Sequence, residues 1–160
     1  MFYKKCVGKF FEFPVKKKGI KMYCLKTNSC FDSAHFLKGY EGKCANIHGH
    51  RWDVCIEVYG ENLEEHGNTR GMIVDFSKLK GDLRHLTENL DHCLIIEKNS
   101  LKPTTKQALL DENFKIVEVD FRPTAENFSK YFFDEMSSMG YKVKCATVYE
   151  TPNNCASYGE

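Results

Sequence analysis

The heptapeptide CANIHGH, residues 44–50, brings one thiol and two imidazoles into a short stretch of the chain. His48 and His50 are two residues apart, so in an extended strand both side chains project to the same side, about 7 Å apart along the backbone. A third imidazole, His35 in FDSAHF, ends an earlier strand-like segment, and a hairpin would bring it beside the other two. The alternative is three ordinary surface or core histidines. Three imidazoles with an open fourth position are typical of catalytic zinc, and we predict such a site at His35, His48 and His50.

Cys44 has two possible roles in this arrangement. It could be the fourth zinc ligand, but a coordinated thiolate would occupy the position that a substrate needs. A thiol near a metal and cationic neighbours can instead have a lowered pKa and act as a base or nucleophile.

Two further sites carry groups that could take part in chemistry. In LDHC, residues 90–93, Asp91 can hold the tautomer of His92 and make it a proton-transfer group, although a histidine at a helix end is also favoured by the helix dipole alone. In VYETPNN, Glu150 could accept two hydrogen bonds from an amino-pyrimidinone ring, although many glutamates at strand ends are merely solvated.

Alternating and helical patterns predict the elements that must position these groups. Asp75 is a candidate N-cap for a helix that reaches Leu90, Pro103 can start a short helix, and Thr124 can cap another that ends before Gly140. The strand-like segments are residues 22–36, 50–60, 115–120, 141–150 and 155–158. Paired strands around grouped helices predict an α+β domain in which the helices cover one face of an antiparallel sheet.

Length and composition indicate one globular domain. The chain has 160 residues, of which 42% are hydrophobic, and no apolar run is long enough to span a membrane. The first 21 residues carry seven Lys and one Glu, a net charge of +6, whereas the other 139 carry 16 basic and 21 acidic side chains, a net charge of −5. The acidic body argues against nucleic acid as a partner.

The basic residues 1–21 predict an N-terminal extension that need not be ordered, and the domain is expected to span residues 22–160. A solvated tail is the simplest interpretation, with an arm for nucleic acid or a membrane surface as the alternative. Lys9 and Glu12 interrupt its apolar clusters, so a secretory signal is not expected. The spacing of the eight cysteines does not suggest a disulfide framework, and a reducing cytosol is expected.

Six motifs in this order resemble the 6-pyruvoyltetrahydropterin synthase and 6-carboxytetrahydropterin synthase family. They are FDSAHFL, CANIHGH, GMIVDF, LDH, PTAEN and VYETPNN, and they extend across residues 31–154. The three residues between Cys44 and the His-Gly-His are the spacing of the bacterial 6-carboxytetrahydropterin synthases of the queuosine pathway; the animal pyruvoyl enzymes have a longer gap. The ETPNN ending is shared with the animal type. Between Glu97 and Arg122 the chain is longer than many relatives.

The resemblance implies a fold, an assembly and a set of site residues. The family fold (T-fold or tunnelling fold) is a small antiparallel sheet with helices on one face, which predicts a four-stranded sheet here and subunits that assemble into a barrel. A homo-oligomer built from trimers, commonly a hexamer, would have active sites between subunits. The implied site residues are the zinc ligands His35, His48 and His50, the catalytic Cys44, Asp91 and His92, the pterin-anchoring Glu150, and Thr124 and Glu126 in the pterin pocket.

The implied reaction is the zinc-dependent conversion of 7,8-dihydroneopterin triphosphate to 6-carboxy-5,6,7,8-tetrahydropterin, acetaldehyde and triphosphate, catalysed by a cytoplasmic lyase. The nearest alternative is formation of 6-pyruvoyltetrahydropterin, which eliminates triphosphate without carbon–carbon cleavage. Two others stay open: a metal-independent thiol hydrolase that uses Cys44, His92 and Asp91, and a non-catalytic oligomer that binds zinc or pterin.

Overall fold

A computed structural model describes residues 21–160, and these form one sheet with three α-helices. The predicted extension, apart from Lys21, lies outside the described residues. The strands are β1 (Tyr23–His35), β2 (His48–Gly60), β3 (Cys93–Glu97), β4 (Ile116–Val119), β5 (Val143–Thr151) and β6 (Asn154–Gly159). The helices are α1 (Phe76–Leu90), α2 (Pro103–Asp111) and α3 (Ala125–Ser138), with a short 3-10 helix at Lys43–Ala45.

The sheet has six strands in the order β4-β3-β1-β2-β5-β6 and is mixed. The pairs β1–β2, β2–β5 and β5–β6 are antiparallel, whereas β3 runs parallel to both β1 and β4. The prediction of an α+β fold is therefore confirmed, but the prediction of a four-stranded, purely antiparallel sheet is wrong.

The strand that the sequence analysis missed is β3, which follows α1 after only two residues. Its sequence, CLIIE, is a continuous apolar run with no alternation, and Ile95 and Ile96 are fully buried. Strands in parallel pairs are commonly buried on both faces. They therefore lack the alternation of apolar and polar residues that identifies a half-exposed strand in a sequence. Parallel pairing of β3 with β4 then adds both strands to the sheet beside β1.

The hairpin of β1 and β2 forms as predicted, and its strand register determines the relative positions of His35, His48 and His50. Its register places Ser33 opposite His50 and His35 opposite His48. The second strand begins at His48, two residues earlier than the alternation indicated, so both of its histidines have strand geometry. Because side chains alternate along a strand, all three imidazoles point to the same face of the sheet.

That face is covered by α1 and α3, and the hydrophobic core lies between them and the sheet. Both predicted caps form: a side-chain oxygen of Asp75 accepts from the backbone N–H of Ser77 at 2.6 Å, and that of Thr124 accepts from the N–H of Asn127 at 3.5 Å. The large hydrophobic side chains that the helices bury are Leu79, Leu83, Leu86, Leu90, Phe128, Phe132 and Met136. By contrast, α2 has no buried residue.

The opposite side of the sheet, which we call the outer face, carries polar and charged side chains. Glu57 on β2 accepts from Lys144 on β5 at 2.6 Å and pairs with Lys26 on β1 at 2.7 Å. Although burial alone would raise the pKa of the Glu57 carboxyl, these two ammonium groups hold it below its usual value. The seven cysteines within residues 21–160 are unpaired, and none of the helices described there could cross a bilayer.

Candidate metal centre and catalytic groups

Three imidazole rings meet where β1 ends and β2 begins. The ring centroids of His35 and His48 are 4.5 Å apart, those of His35 and His50 5.2 Å, and those of His48 and His50 5.0 Å. The Trp52 ring lies 5.0 Å from His35 and 5.4 Å from His50, so the cluster rests against the edge of the hydrophobic core.

The hydrogen bonds of the rings prepare them as metal ligands. Nδ1 of His35 lies 2.7 Å from the carbonyl oxygen of Pro123, and Nδ1 of His48 lies 2.8 Å from that of Asn46. A carbonyl can only accept, so in both rings Nδ1 carries the proton and the lone pair is on Nε2. The Nε2 atoms of all three histidines are buried, with no hydrogen-bond partner among residues 21–160. Three buried, unpartnered ring nitrogens within 4.8 Å of one another fit a shared cation.

The protonation of the rings also suits metal binding. Burial lowers the pKa of His35 to about 4, with a smaller contribution in the same direction from the neighbouring His48 and His50. Burial likewise lowers the pKa of His50, despite the opposing effect of Glu150. Neutral imidazole is the form that binds a metal, so these two rings need not lose a proton near neutral pH.

Glu150 brings a carboxylate to the same point. Pairing of β5 with β2 sets Tyr149 opposite Asp53, and the next residue, Glu150, faces the histidines. Its Oε1 lies 3.6 Å from Nε2 of both His35 and His50. One potential ligand atom from each of these three residues and from His48 lies within 4.8 Å of the others. Since imidazole and carboxylate ligands bind zinc at roughly 2.0–2.2 Å, these separations suit four groups around one ion.

Cys44 lies in the 3-10 helix that connects the two histidine-bearing strands, and its thiol is half-buried and free. Its backbone carbonyl accepts from the N–H of Leu37 at 2.8 Å, which ties the helix to the residues just after β1. The thiol is not part of the four-residue group of potential ligands found in residues 21–160. The Cys44 thiol is therefore near the cluster in sequence but not within 4.8 Å of all four potential ligand atoms.

Asp91 and His92 form the second predicted pair, directly after α1. Asp91 Oδ2 accepts from His92 Nδ1 at 2.7 Å, and Asp91 Oδ1 accepts from the backbone N–H of Asp32 at 2.7 Å. The bond from Asp32, together with that from His92, holds the pKa of the Asp91 carboxyl below its ordinary value. The carboxylate thus stays ionised and orients the ring, while the His92 side chain is 81% exposed.

The two groups of residues lie on opposite sides of the sheet. His92 lines a groove of about 730 Å³ together with Asp32 and Arg51, which alternate with core-facing residues of β1 and β2 and so belong to the outer face. The histidine cluster is on the face that α1 and α3 cover, although His50, near the start of β2, also lines the groove. Within one chain, therefore, the Asp91–His92 pair and the candidate metal centre lie on opposite faces of the sheet.

The PTAEN motif is connected to the metal centre through its backbone. Pro123, whose carbonyl accepts from His35, directly precedes Thr124, the half-buried N-cap of α3. Glu126 lies in the first turn of this helix and is exposed.

Sequence reasoning missed several groups that shape the two sites. The carbonyls of Pro123 and Asn46 act through the backbone, which leaves no residue-type signal. Asp32 is a further omission: its backbone N–H binds Asp91 and its backbone carbonyl accepts from the N–H of His92 at 2.7 Å. Only the parallel pairing of β1 and β3 could have indicated this contact, and β3 was not predicted.

Comparison with known proteins identifies close relatives. A protein of Haemophilus influenzae named 6-carboxy-5,6,7,8-tetrahydropterin synthase is 30% identical over 142 residues, which cover 87% of this chain and 100% of the relative. A protein of the same name from Aquifex aeolicus is 34% identical over 128 residues, which cover 74% of this chain and 76% of the relative.

Solved structures share the fold. An uncharacterised protein from Wolinella succinogenes superimposes with a TM-score of 0.74 at 22% identity, over 88% of this chain and 99% of the other. The 6-pyruvoyl tetrahydropterin synthase of Caenorhabditis elegans gives a TM-score of 0.62 at 23% identity, over 88% and 96% of the two chains. The sequence profile of the 6-pyruvoyl tetrahydropterin synthase family matches residues 24–160. The chain therefore belongs to the 6-pyruvoyl tetrahydropterin synthase family.

Proposed function

We propose that this protein is a zinc-dependent lyase that converts 7,8-dihydroneopterin triphosphate and one water to 6-carboxy-5,6,7,8-tetrahydropterin, acetaldehyde and triphosphate, a reaction of queuosine biosynthesis. The observation that carries the proposal is the convergence of three unpartnered, buried imidazole nitrogens beside Glu150. The choice of product is supported by the names of the Haemophilus influenzae and Aquifex aeolicus relatives.

His35, His48 and His50 hold the zinc ion in this proposal. When bound, zinc would supply Lewis-acid stabilisation of negative charge on the side-chain oxygens of the substrate. The carbonyls of Pro123 and Asn46 keep the rings of His35 and His48 in the tautomer that can bind a metal. At other metal sites, acceptors that hydrogen-bond to the ligands have the same role. A site of three imidazoles would leave a coordination position for substrate when Glu150 is engaged elsewhere.

Proton transfer is assigned to Cys44 and to the Asp91–His92 pair. The Cys44 thiolate removes a carbon-bound proton, and His92 returns protons from the other side of the substrate. Asp91 keeps the Nδ1 proton of His92 in place by its 2.7 Å contact, so that Nε2 is the nitrogen that exchanges protons. The thiol avoids the metal in this scheme, which agrees with its absence from the four-residue ligand group of residues 21–160.

Glu150 orients the substrate. Its carboxylate can accept two hydrogen bonds from the amino-pyrimidinone edge of a pterin, with Thr124 and Glu126 as further contacts in the same pocket. Fixing the ring in this way brings the substrate side chain to the metal and reduces the entropy lost in the reacting complex.

The proposed active form is a homo-oligomer built from trimers, a hexamer in the simplest case. The Asp91–His92 pair and the histidine cluster of one chain are on opposite sides of its sheet, so a complete site needs the pair from one subunit and the metal from another. Open edges support assembly: β1 pairs with β3 only over its last three residues, and β6 has a neighbour on one side only. The unpaired thiols of residues 21–160 suit a reducing, cytoplasmic environment.

The direct test is product identification after incubation of the zinc-loaded protein with 7,8-dihydroneopterin triphosphate. We expect a 6-carboxy product by mass spectrometry, with acetaldehyde and triphosphate in equal amounts, and loss of turnover with a chelator. A product that retains all side-chain carbons would favour the pyruvoyl alternative. Activity that survives chelation would support a thiol hydrolase, and absence of turnover would support a binding oligomer.

Replacement of Glu150 by Gln should weaken substrate binding without loss of the metal. Gln has the same size but turns one acceptor into a donor, and hydrogen bonds to charged groups contribute about 1.5–3 kcal/mol, so we expect KM to rise roughly 10- to 100-fold. Zinc content after desalting should stay at the wild-type level, because three imidazoles remain. Both quantities can be measured on one preparation.

Glu88→Gln is the matched control, because Glu88 is an exposed residue of α1 whose side chain pairs with Arg84. It should change neither KM nor zinc content. If Glu150→Gln instead loses its zinc while the control retains it, the carboxylate is a required metal ligand and its role as pterin anchor is refuted.

A further inference from the structure

The backbone at His92 is held in an unfavourable conformation. His92 has φ of 51°, in the left-handed region that side chains other than Gly rarely adopt, and it connects α1 directly to β3. Residues with such a conformation are strained and persist only when surrounding contacts enforce them. The direction of the exposed His92 ring therefore depends on the contacts that hold this junction.

Three of these contacts involve Asp32 on β1 or the Asp91–His92 pair itself. The backbone carbonyl of Asp32 accepts from the N–H of His92 at 2.7 Å, and the backbone N–H of Asp32 donates to Asp91 at the same distance. The third is the contact between Asp91 Oδ2 and His92 Nδ1. Together they fix one side of the junction and leave the Asp91 carbonyl, at the C-terminal end of α1, free to accept from elsewhere.

Lys115 provides the contact on the other side. Its ammonium group donates to the backbone carbonyl of Asp91 at 3.0 Å. Asp91 is the C-cap of α1, and the helix dipole favours a positive charge near this end. The backbone of Lys115 is fixed too, because its carbonyl accepts from the N–H of Leu94 at 3.0 Å where β3 pairs with β4.

We propose that Lys115 is a positioning residue for His92 and that the segment between β3 and β4 serves to carry it. The segment comprises residues 98–115, within the stretch in which the chain is longer than many relatives. Helix α2 adds no residue to the buried core, so core packing does not account for the segment. The inference rests on the proposed function of His92 in proton transfer.

Arg51, a second cation of the groove, does not compete for this role. Its guanidinium donates to Cys30 Sγ at 3.0 Å and to Asp32 Oδ2 at 3.4 Å, both on β1. Among these two groove cations only Lys115 contacts the Asp91–His92 junction directly. Its removal should loosen the junction while the remaining contacts keep it folded.

The test is Lys115→Met, with Lys115→Arg as the conservative variant and Lys106→Met as control, since Lys106 of α2 pairs with Glu118 in the same region. Loss of about 1 kcal/mol of hydrogen bonding should speed hydrogen exchange of the His92 amide roughly fivefold in substrate-free protein. In the turnover assay, Lys115→Met should lower kcat about five- to tenfold while KM stays within about twofold of the wild-type value. Lys115→Arg should recover most of the lost kcat.

Several results would overturn the proposal. If hydrogen exchange of the His92 amide is unchanged in Lys115→Met, the bond from Lys115 to the Asp91 carbonyl does not hold the junction. A raised KM with unchanged kcat would mean that Lys115 contacts substrate. An equal effect of Lys106→Met would mean a general loss of stability. If the wild-type protein has no turnover, the proposed function fails, and hydrogen exchange still decides whether Lys115 positions His92.

Discussion

Replacement of Cys44 by Ala should reduce turnover of 7,8-dihydroneopterin triphosphate by roughly 10²- to 10⁴-fold, the contribution typical of a positioned acid or base. The thiol is the group assigned to remove a carbon-bound proton, and Ala offers no substitute. Zinc content should stay at the wild-type level, because the metal is assigned to three imidazoles and the thiol is not among the potential ligands identified in residues 21–160. Steady-state kinetics and metal analysis after desalting measure the two effects separately.

Cys155→Ala is the control for this substitution, because Cys155 is an exposed thiol on β6. It should leave both turnover and metal content unchanged. If Cys44→Ala loses its zinc, Cys44 is a ligand and the proton-transfer assignment fails. If Cys44→Ala remains fully active, the proposed chemistry does not need the thiol.

Replacement of His48 by Ala should remove the metal and turnover together. His48 is only half-buried, so its loss should disturb packing less than loss of His35, which is 1% exposed. Loss of a group that hydrogen-bonds to a metal ligand typically lowers metal affinity about 10- to 100-fold. Loss of the ligand itself should lower metal affinity further. We expect desalted His48→Ala to contain almost no zinc and to have no detectable turnover, as determined by metal analysis and the product assay.

The matched controls are His66→Ala and His85→Ala, two histidines that are exposed and lie outside the cluster. Both should keep the zinc content and turnover of the wild type. Retention of one tightly bound zinc per subunit by His48→Ala would refute the three-histidine site. Excess zinc restoring activity to His48→Ala would instead agree with a weakened site.

The local sequence was sufficient for the parts of the site that depend on short spacing. His48 and His50 had to share one side of a strand, because alternation is a property of extended backbone. The caps at Asp75 and Thr124 were likewise recognisable, because a capping side chain binds a backbone N–H two or three residues later. The choice between a thiol ligand and a thiol base at Cys44, by contrast, was made only through the family resemblance.

The sheet shows where the local pattern was insufficient. β3 is short, apolar throughout and paired with strands on both sides, so its side chains show no period that separates it from the end of the preceding helix. Its pairing partners lie about 60 residues earlier and about 20 later in the chain, as the register of Leu94 with Ala34 and Ile116 shows. Recognition of β3 would have required knowledge of those partners.

By itself, then, the sequence determined the identity of the three imidazoles, their common side of the hairpin and the caps of the two long helices. Tertiary structure alone decided that Glu150 reaches the same point, that the carbonyl of Pro123 sets the tautomer of His35, and that His92 lies on the outer face. The reason is physical. Side-chain direction within an element follows from local backbone geometry, whereas the neighbours of a side chain follow from strand register, which non-local packing sets.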